Sequence, residues 1–344
     1  MLAKPLSTRV KQRLQSAAQI LGTVNPVEQV DGLLNRTFIY PHGDPRYAQN
    51  ALTPMAAPFE PSFSEDQPHN LRFTIEPLPP GASGLDRRDE ATRVMRSLIH
   101  QCIGSEALHW FDRMSEDYRG FSARGQLDYG AFFGSSYDNN GLHSSKVYYQ
   151  IPQGQGSIDG LQPNLSRIIS TIMAMVPGLV PLFTTIAAQR NTGDQRLTFA
   201  CTRAFKLTDL KPVLNELGLA HQLPAIMQTL GLVLGGRFDL PEHSALLAFG
   251  QDQNGPNFEI YILLSAIPDV PPAFLSLLTM GLSERPRTLR ALERWMNAFT
   301  PDDQHWPGNF SIISLRTDRN HAPRISLYLR PVEFEMPSQL TNAA

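Results

Sequence analysis

Three short stretches bring charged groups and tyrosines into step with a two-residue period: Lys146-Val147-Tyr148, Glu259-Ile260-Tyr261 and Arg324-Ile325-Ser326-Leu327-Tyr328. On a β-strand, positions i and i+2 share a face. Each stretch therefore predicts a strand with one apolar face and one face of Lys, Arg, Glu and Tyr. The polar face must look at water or at a ligand. Lysine and arginine neutralise an anion, and tyrosine offers both a hydroxyl donor and a π face that attracts positive charge. Arg72 adds a cation in mid-strand within Leu71 to Glu76, and Arg203 adds one near the end of a strand read over Arg196 to Phe205. The repetition suggests a vessel that holds an anion beside something that behaves like a cation.

The elements that position these residues recur. Predicted hairpins run over Tyr129 to Ile151, Ser244 to Ser265 and Phe310 to Leu329, the first two turning at Asp138-Asn139-Asn140-Gly141 and Asp252-Gln253-Asn254-Gly255. Helices are predicted from Ser7 to Gly22, from Asp86 to Gly104 with a restart at Ser105, and over Leu165 to Gln189. Further helices fall over Asp209 to Leu217, Leu223 to Leu230, Pro272 to Met280 and Arg287 to Phe299. Residues 23–58 read mostly as coil, with one strand near Thr37 to Tyr40. The unit is strand–strand–helix–helix, recurring roughly every 50–60 residues. Consecutive strands joined by short turns pair antiparallel. About ten such strands, each with one wet face, are best satisfied by closure. The expected class is α+β: an antiparallel closed barrel surrounded by helices. The expected organisation is an extension over 1–54, the barrel over 55–335 and a tail over 336–344.

Composition narrows the function. The chain has 344 residues, 42% hydrophobic and 18% charged, with a net charge of −2. A sizeable core is expected, and a nucleic-acid binder working through a global basic field is not. Two cysteines, Cys102 and Cys201, lie far apart and outside any metal spacing, so a reduced cytoplasmic protein is expected. Ile168 to Ala188 carries no charge and is long enough to span a bilayer, but Pro177, Gly178 and Pro181 interrupt it. A pair of buried helices is expected there, and no membrane span.

The ββαα repeat and the Lys-x-Tyr pairing resemble the aromatic prenyltransferases of the ABBA barrel superfamily. Within it, the enzymes that modify cyanobactin peptides are the nearest in pattern. Phe133-Gly134-Ser135-Ser136-Tyr137-Asp138, Ser144-Ser145-Lys146-Val147-Tyr148 and Phe258-Glu259-Ile260-Tyr261 carry the likeness, as does the spacing from Glu60 to Arg72. It covers residues 55–335, as pattern more than identity. The resemblance implies transfer of a dimethylallyl or geranyl group from its diphosphate to an aromatic or other nucleophilic side chain of a peptide, or to an indole-type metabolite. It implies Glu60 as the base, in an apolar setting that raises its pKa. It assigns Arg72, Lys146, Tyr148, Arg203, Glu259, Tyr261, Arg324 and Tyr328 to the diphosphate and the prenyl cation. By pattern alone, Arg72 reads first as a rim arginine, Glu60 also as a loop carboxylate, and the tyrosines first as ordinary strand residues. Glu259 reads also as the partner of an inward cation.

One strand departs from the family. Where indole-type enzymes carry two cations and a tyrosine, Arg196 to Phe205 offers Thr198, Ala200 and Thr202 on one face. If that face looks inward, the lumen widens and a ten-carbon donor is expected to fit. The sequence contains no aspartate-rich DDxxD motif, P-loop, dinucleotide fingerprint, HExxH or GxSxG elbow. No covalent cofactor or protein metal cage is expected; Mg2+ can accompany the diphosphate without one. The rival reading is a non-catalytic barrel that binds a small anionic or apolar ligand.

Overall fold

The period-two alternation closes on itself. The computed structural model describes residues 4–120, 127–152, 161–190, 192–252 and 255–336. Among these, ten strands form one closed antiparallel barrel. They pair in sequence as hairpins: β1 (Phe59–Ser64) with β2 (Leu71–Ile75), β3 (Ala131–Asp138) with β4 (Gly141–Gln150), and β5 (Leu179–Gln189) with β6 (Gly193–Cys201). A short ribbon of β7 (Phe205–Lys206) and β8 (Asp239–Leu240) stands apart. The last hairpins are β9 (Ala245–Asp252) with β10 (Gly255–Leu263) and β11 (Gly308–Thr317) with β12 (Arg324–Pro331). Around the wall the order is β1, β12, β11, β10, β9, β6, β5, β4, β3, β2, and β2 returns to β1. Among the described residues, closure leaves the barrel itself no free strand edge to template aggregation.

Helices cover the outer, apolar face. They are α1 (Leu6–Leu21), α2 (Val27–Thr37), α3 (Gly84–Cys102), α4 (Ser105–Arg119) and α5 (Pro163–Met175), then α6 (Lys211–Glu216), α7 (Leu223–Val233), α8 (Phe274–Leu282) and α9 (Pro286–Phe299). α3 starts at a capping box formed by Ser83 and Asp86 and lies on β3 and β4. There Thr92 Oγ1 meets the Tyr149 hydroxyl at 2.8 Å. α9 drives the fully buried Trp295 onto Phe63 of β1, ring centroids 6.1 Å apart. Truncating such a side chain to alanine costs about 3–5 kcal/mol. α1 packs on α9, so the amino-terminal helix shares the barrel's core.

Four expectations change. Residues 23–58 are not mostly coil: α2 occupies 27–37, burying Val27, Val30, Leu33 and Leu34. Gly32 and Asn35 weaken its propensity, and packing against α1 and α3 overrides that. The strand expected near Thr37 to Tyr40 is therefore absent from the described barrel. Leu165 to Gln189 is not all helix; α5 ends at Met175 and the apolar remainder is the strand β5. Pro181 is tolerated there because the β5–β6 register shifts between Pro181 and Phe183. The β3–β4 hairpin is followed by a single helix among the described residues, so the repeat is imperfect. No helix among them is long and apolar enough to cross a membrane. Gln253, Asn254 and the tail beyond Met336 lie outside the described residues.

Candidate functional site

Ladder register decides which side chains enter the lumen. Glu60 stands opposite Thr74, Thr74 opposite Gly134, Gly134 opposite Lys146, and Lys146 opposite Ala187. Across the barrel Glu259 faces Arg316, Tyr261 faces Ser314, and Ile312 faces Tyr328. Gly134 leaves room for its neighbours: a methyl there would sit 3.2 Å from the Lys146 chain and 3.3 Å from the Tyr148 ring. The resulting lumen has two chambers that share Thr74, Tyr261 and Tyr328.

The chamber toward the hairpin turns is small, about 90 Å³, and polar. Arg72, Lys146, Arg196 and Arg316 line it, with Ser62, Ser64, Ser144, Ser326 and Thr185 between them. Arg196 forms an ion pair with Glu259, which also accepts from Ser314 Oγ at 2.7 Å. Glu259 is only 4% exposed. Burial acts against its charge, but Arg196 and Arg316 outweigh burial and hold the carboxyl below its ordinary range. Arg316 lies 3.4 Å from Asp252. Among the described residues, Arg72 and Lys146 have no ion-pair partner. Their charge is available to an anion. Burial raises the pKa values of Tyr261 and Tyr328, so both hydroxyls stay protonated and can donate.

The second chamber, about 390 Å³, is apolar and opens at the opposite end. Phe132, Tyr148, Phe183, Leu246, Leu263 and Ile312 form its wall, and Ala51, Leu52 and Pro54 form part of its mouth. Tyr148 meets Phe183 edge-on at 5.5 Å and lies under Lys146 Nζ at 5.2 Å. Tyr261 and Tyr328 complete the waist with centroids 6.1 Å apart. Glu60 enters this chamber at 4% exposure. Its Oε1 accepts from Ser311 Oγ at 2.9 Å. Ser311 occupies the bulge between Phe310 and Ile312, where the β11–β12 register shifts. Burial pushes Glu60 up to about 8, opposed by the Ser311 bond. A carboxyl titrating there suits proton transfer near neutral pH.

The structure thus gathers Glu60, Arg72, Lys146, Tyr148, Glu259, Tyr261 and Tyr328 around one lumen. Two predicted residues do not join them. Arg203 lies beyond the end of β6, exposed, against Gly178. Arg203 is in phase with Leu197, Phe199 and Cys201, the outward core face, and the strand ends at Cys201 before reaching it. Arg324 stands at the turn end of β12 and is bound by Asp66 and Asp318 at 2.7 and 2.5 Å. Two lumen cations were missed. Arg196 is in phase with Thr198 and Ala200, the face expected to look inward, and it does look inward. Arg316 is the cross-strand neighbour of Glu259. Simple alternation carried both signals. Among the described residues, no group of His, Cys, Asp and Glu gathers to hold a metal ion.

No protein-family model and no curated protein matches this sequence. Solved structures do match in shape. A 6-dimethylallyl tryptophan synthase is 16% identical, with a TM-score of 0.75 over 97% of this chain and 98% of that one. The 6-dimethylallyltryptophan synthase of Micromonospora olivasterospora, in complex with DMASPP and Trp, is 15% identical, with a TM-score of 0.73 over 97% and 99%. The prenyltransferase PriB with product diphosphate is 14% identical, with a TM-score of 0.71 over 96% and 98%. The fold is the prenyltransferase barrel. In such a barrel, alternate residues of every strand reach the lumen, so its chemistry is written on one face of the wall.

Proposed function

We propose that this protein transfers a prenyl group from its diphosphate to an electron-rich acceptor. The observation that carries the reading is the division of the lumen: a cation-lined polar chamber and a carboxylate-bearing apolar chamber meet at a waist of tyrosines. The diphosphate lies against Arg72, Lys146, Arg196 and Arg316, with the Tyr261 and Tyr328 hydroxyls as donors. The carbon–oxygen bond breaks, and the electron pair leaves with the diphosphate, whose developing charge those groups stabilise. The allylic cation that remains faces the rings of Tyr148, Tyr261 and Tyr328. The apolar wall keeps water from capturing it. A nucleophilic carbon of the acceptor attacks from the second chamber, and the Glu60 carboxylate takes the proton lost by the ring.

Arg72 and Lys146, with Arg196 and Arg316 in ion pairs shared with carboxylates, supply the neutralising charge, so this reading requires no covalent cofactor; magnesium enters only as a companion of the diphosphate. The solved tryptophan synthases favour an indole ring as acceptor, and the cyanobactin-like motifs favour a peptide side chain. The apolar chamber of about 390 Å³ favours a donor as long as geranyl. Incubation with dimethylallyl and geranyl diphosphate and a panel of tryptophan- and tyrosine-containing peptides and free indoles, followed by mass spectrometry, tests the reading. The expected result is mass gain by one prenyl unit. Binding of donor without mass gain on any acceptor would leave a ligand-binding barrel instead.

A further inference from the structure

A chamber built to hold a polyanion contains a buried anion of its own. Glu259 shares the polar chamber with the four cations, and Arg196 and Ser314 fix it from two sides. It is not at the rim, where water would screen it, but buried in the wall of the polar chamber, two residues before Tyr261 on β10. Its carboxylate engages Arg196 before any donor arrives. That leaves Arg72 and Lys146 as the cations free of ionic partners among the described residues. A bound diphosphate would therefore meet two free cations, two arginines already shared with carboxylates (Arg196 with Glu259, Arg316 with Asp252), and in Glu259 a buried repelling carboxylate besides Asp66 and Asp194 of the lining, at a range where charges interact strongly.

On the reading given above, we infer that Glu259 limits how tightly the chamber retains diphosphate, so that the product leaves after transfer. Glu259 also keeps Arg196 extended into the chamber, which makes it a positioning residue as well as a counter-charge. It takes no proton and forms no bond in the reaction.

The test is calorimetric titration of inorganic diphosphate into the full chain. Glu259→Gln keeps the shape of the side chain and an acceptor for Ser314 while removing the charge. It is expected to bind diphosphate at least tenfold more tightly than wild type, and Glu259→Asp to bind like wild type. A merely structural role predicts weaker binding in both variants. If Glu259→Gln folds poorly, the same comparison is read from melting temperature: diphosphate should raise it more in the variant than in wild type. Equal or weaker binding by Glu259→Gln, or equal tightening by Glu259→Asp, would overturn the inference. Absence of diphosphate binding by wild type would overturn the prenyl-transfer reading itself.

Discussion

Glu60→Gln separates burial from chemistry at the base. Burial holds Glu60 near 8 instead of 4.5, so the folded protein binds a proton there that the unfolded chain releases. The pKa is raised, so the stabilising proton is fully present below the unfolded value and is lost as pH rises through the folded value. At neutral pH the carboxyl costs about 3 kcal/mol relative to a neutral amide, rising to about 5 kcal/mol above pH ~8.5. Glutamine removes that cost while keeping the shape and a partner for Ser311. At about 2 °C per kcal/mol for a large domain, the variant should melt about 6 °C higher than wild type near neutrality. The gap should shrink toward zero as pH falls below about 4.5, the unfolded value. Thermal melts followed by circular dichroism across this range provide the measurement. In parallel, transfer by the variant should fall by about 10²–10⁴ while its donor affinity stays put, and the wild-type rate should rise with pH through the Glu60 titration. A melting difference that does not vary with pH would refute the burial argument. Wild-type turnover in Glu60→Gln would refute the assignment of the base.

Three further outcomes are expected. Lys146→Ala removes from the polar chamber a cation with no ion-pair partner among the described residues and should weaken diphosphate binding by about 1.5–3 kcal/mol, roughly ten- to a hundredfold in Kd; unchanged affinity in calorimetry would remove Lys146 from the donor site. Gly134→Val puts a branched side chain against Lys146 and Tyr148 and should raise the KM for donor with little loss of global stability; a large drop in melting temperature instead would make Gly134 a fold residue. Exhaustive chelation of divalent ions should lower turnover less than tenfold, because Arg and Lys carry the neutralisation; complete loss rescued by Mg2+ would make the metal an obligatory part of the donor complex.

The barrel was legible because period-two alternation is strong wherever a strand has one wet face. Lys146 and Tyr148, or Glu259 and Tyr261, declare a shared face without further context. β5 was not legible: Leu179 to Gln189 carries no charge to mark a wet face, and a continuous apolar run reads as helix or strand alike. α2 hid behind Gly32 and Asn35, since its stability comes from packing that no local window contains. The same limit applies at the site. Arg196 lay on the face already identified, two positions before Thr198, yet its partner Glu259 is 63 residues away. Ser311 could not be read at all, because only the β11–β12 register reveals the extra residue that turns it toward Glu60. Ala51 and Leu52 line the apolar mouth only because Glu76, buried after β2, accepts their backbone N–H groups at 2.7 and 3.0 Å.

The wall of this vessel is held by main-chain bonds that are indifferent to what each residue carries inward. Selection can therefore exchange lumen side chains one at a time without dismantling the container. The outward face is under the opposite constraint, since every change there is felt by a helix, and a retooled descendant should keep its exterior core long after its interior has been rewritten.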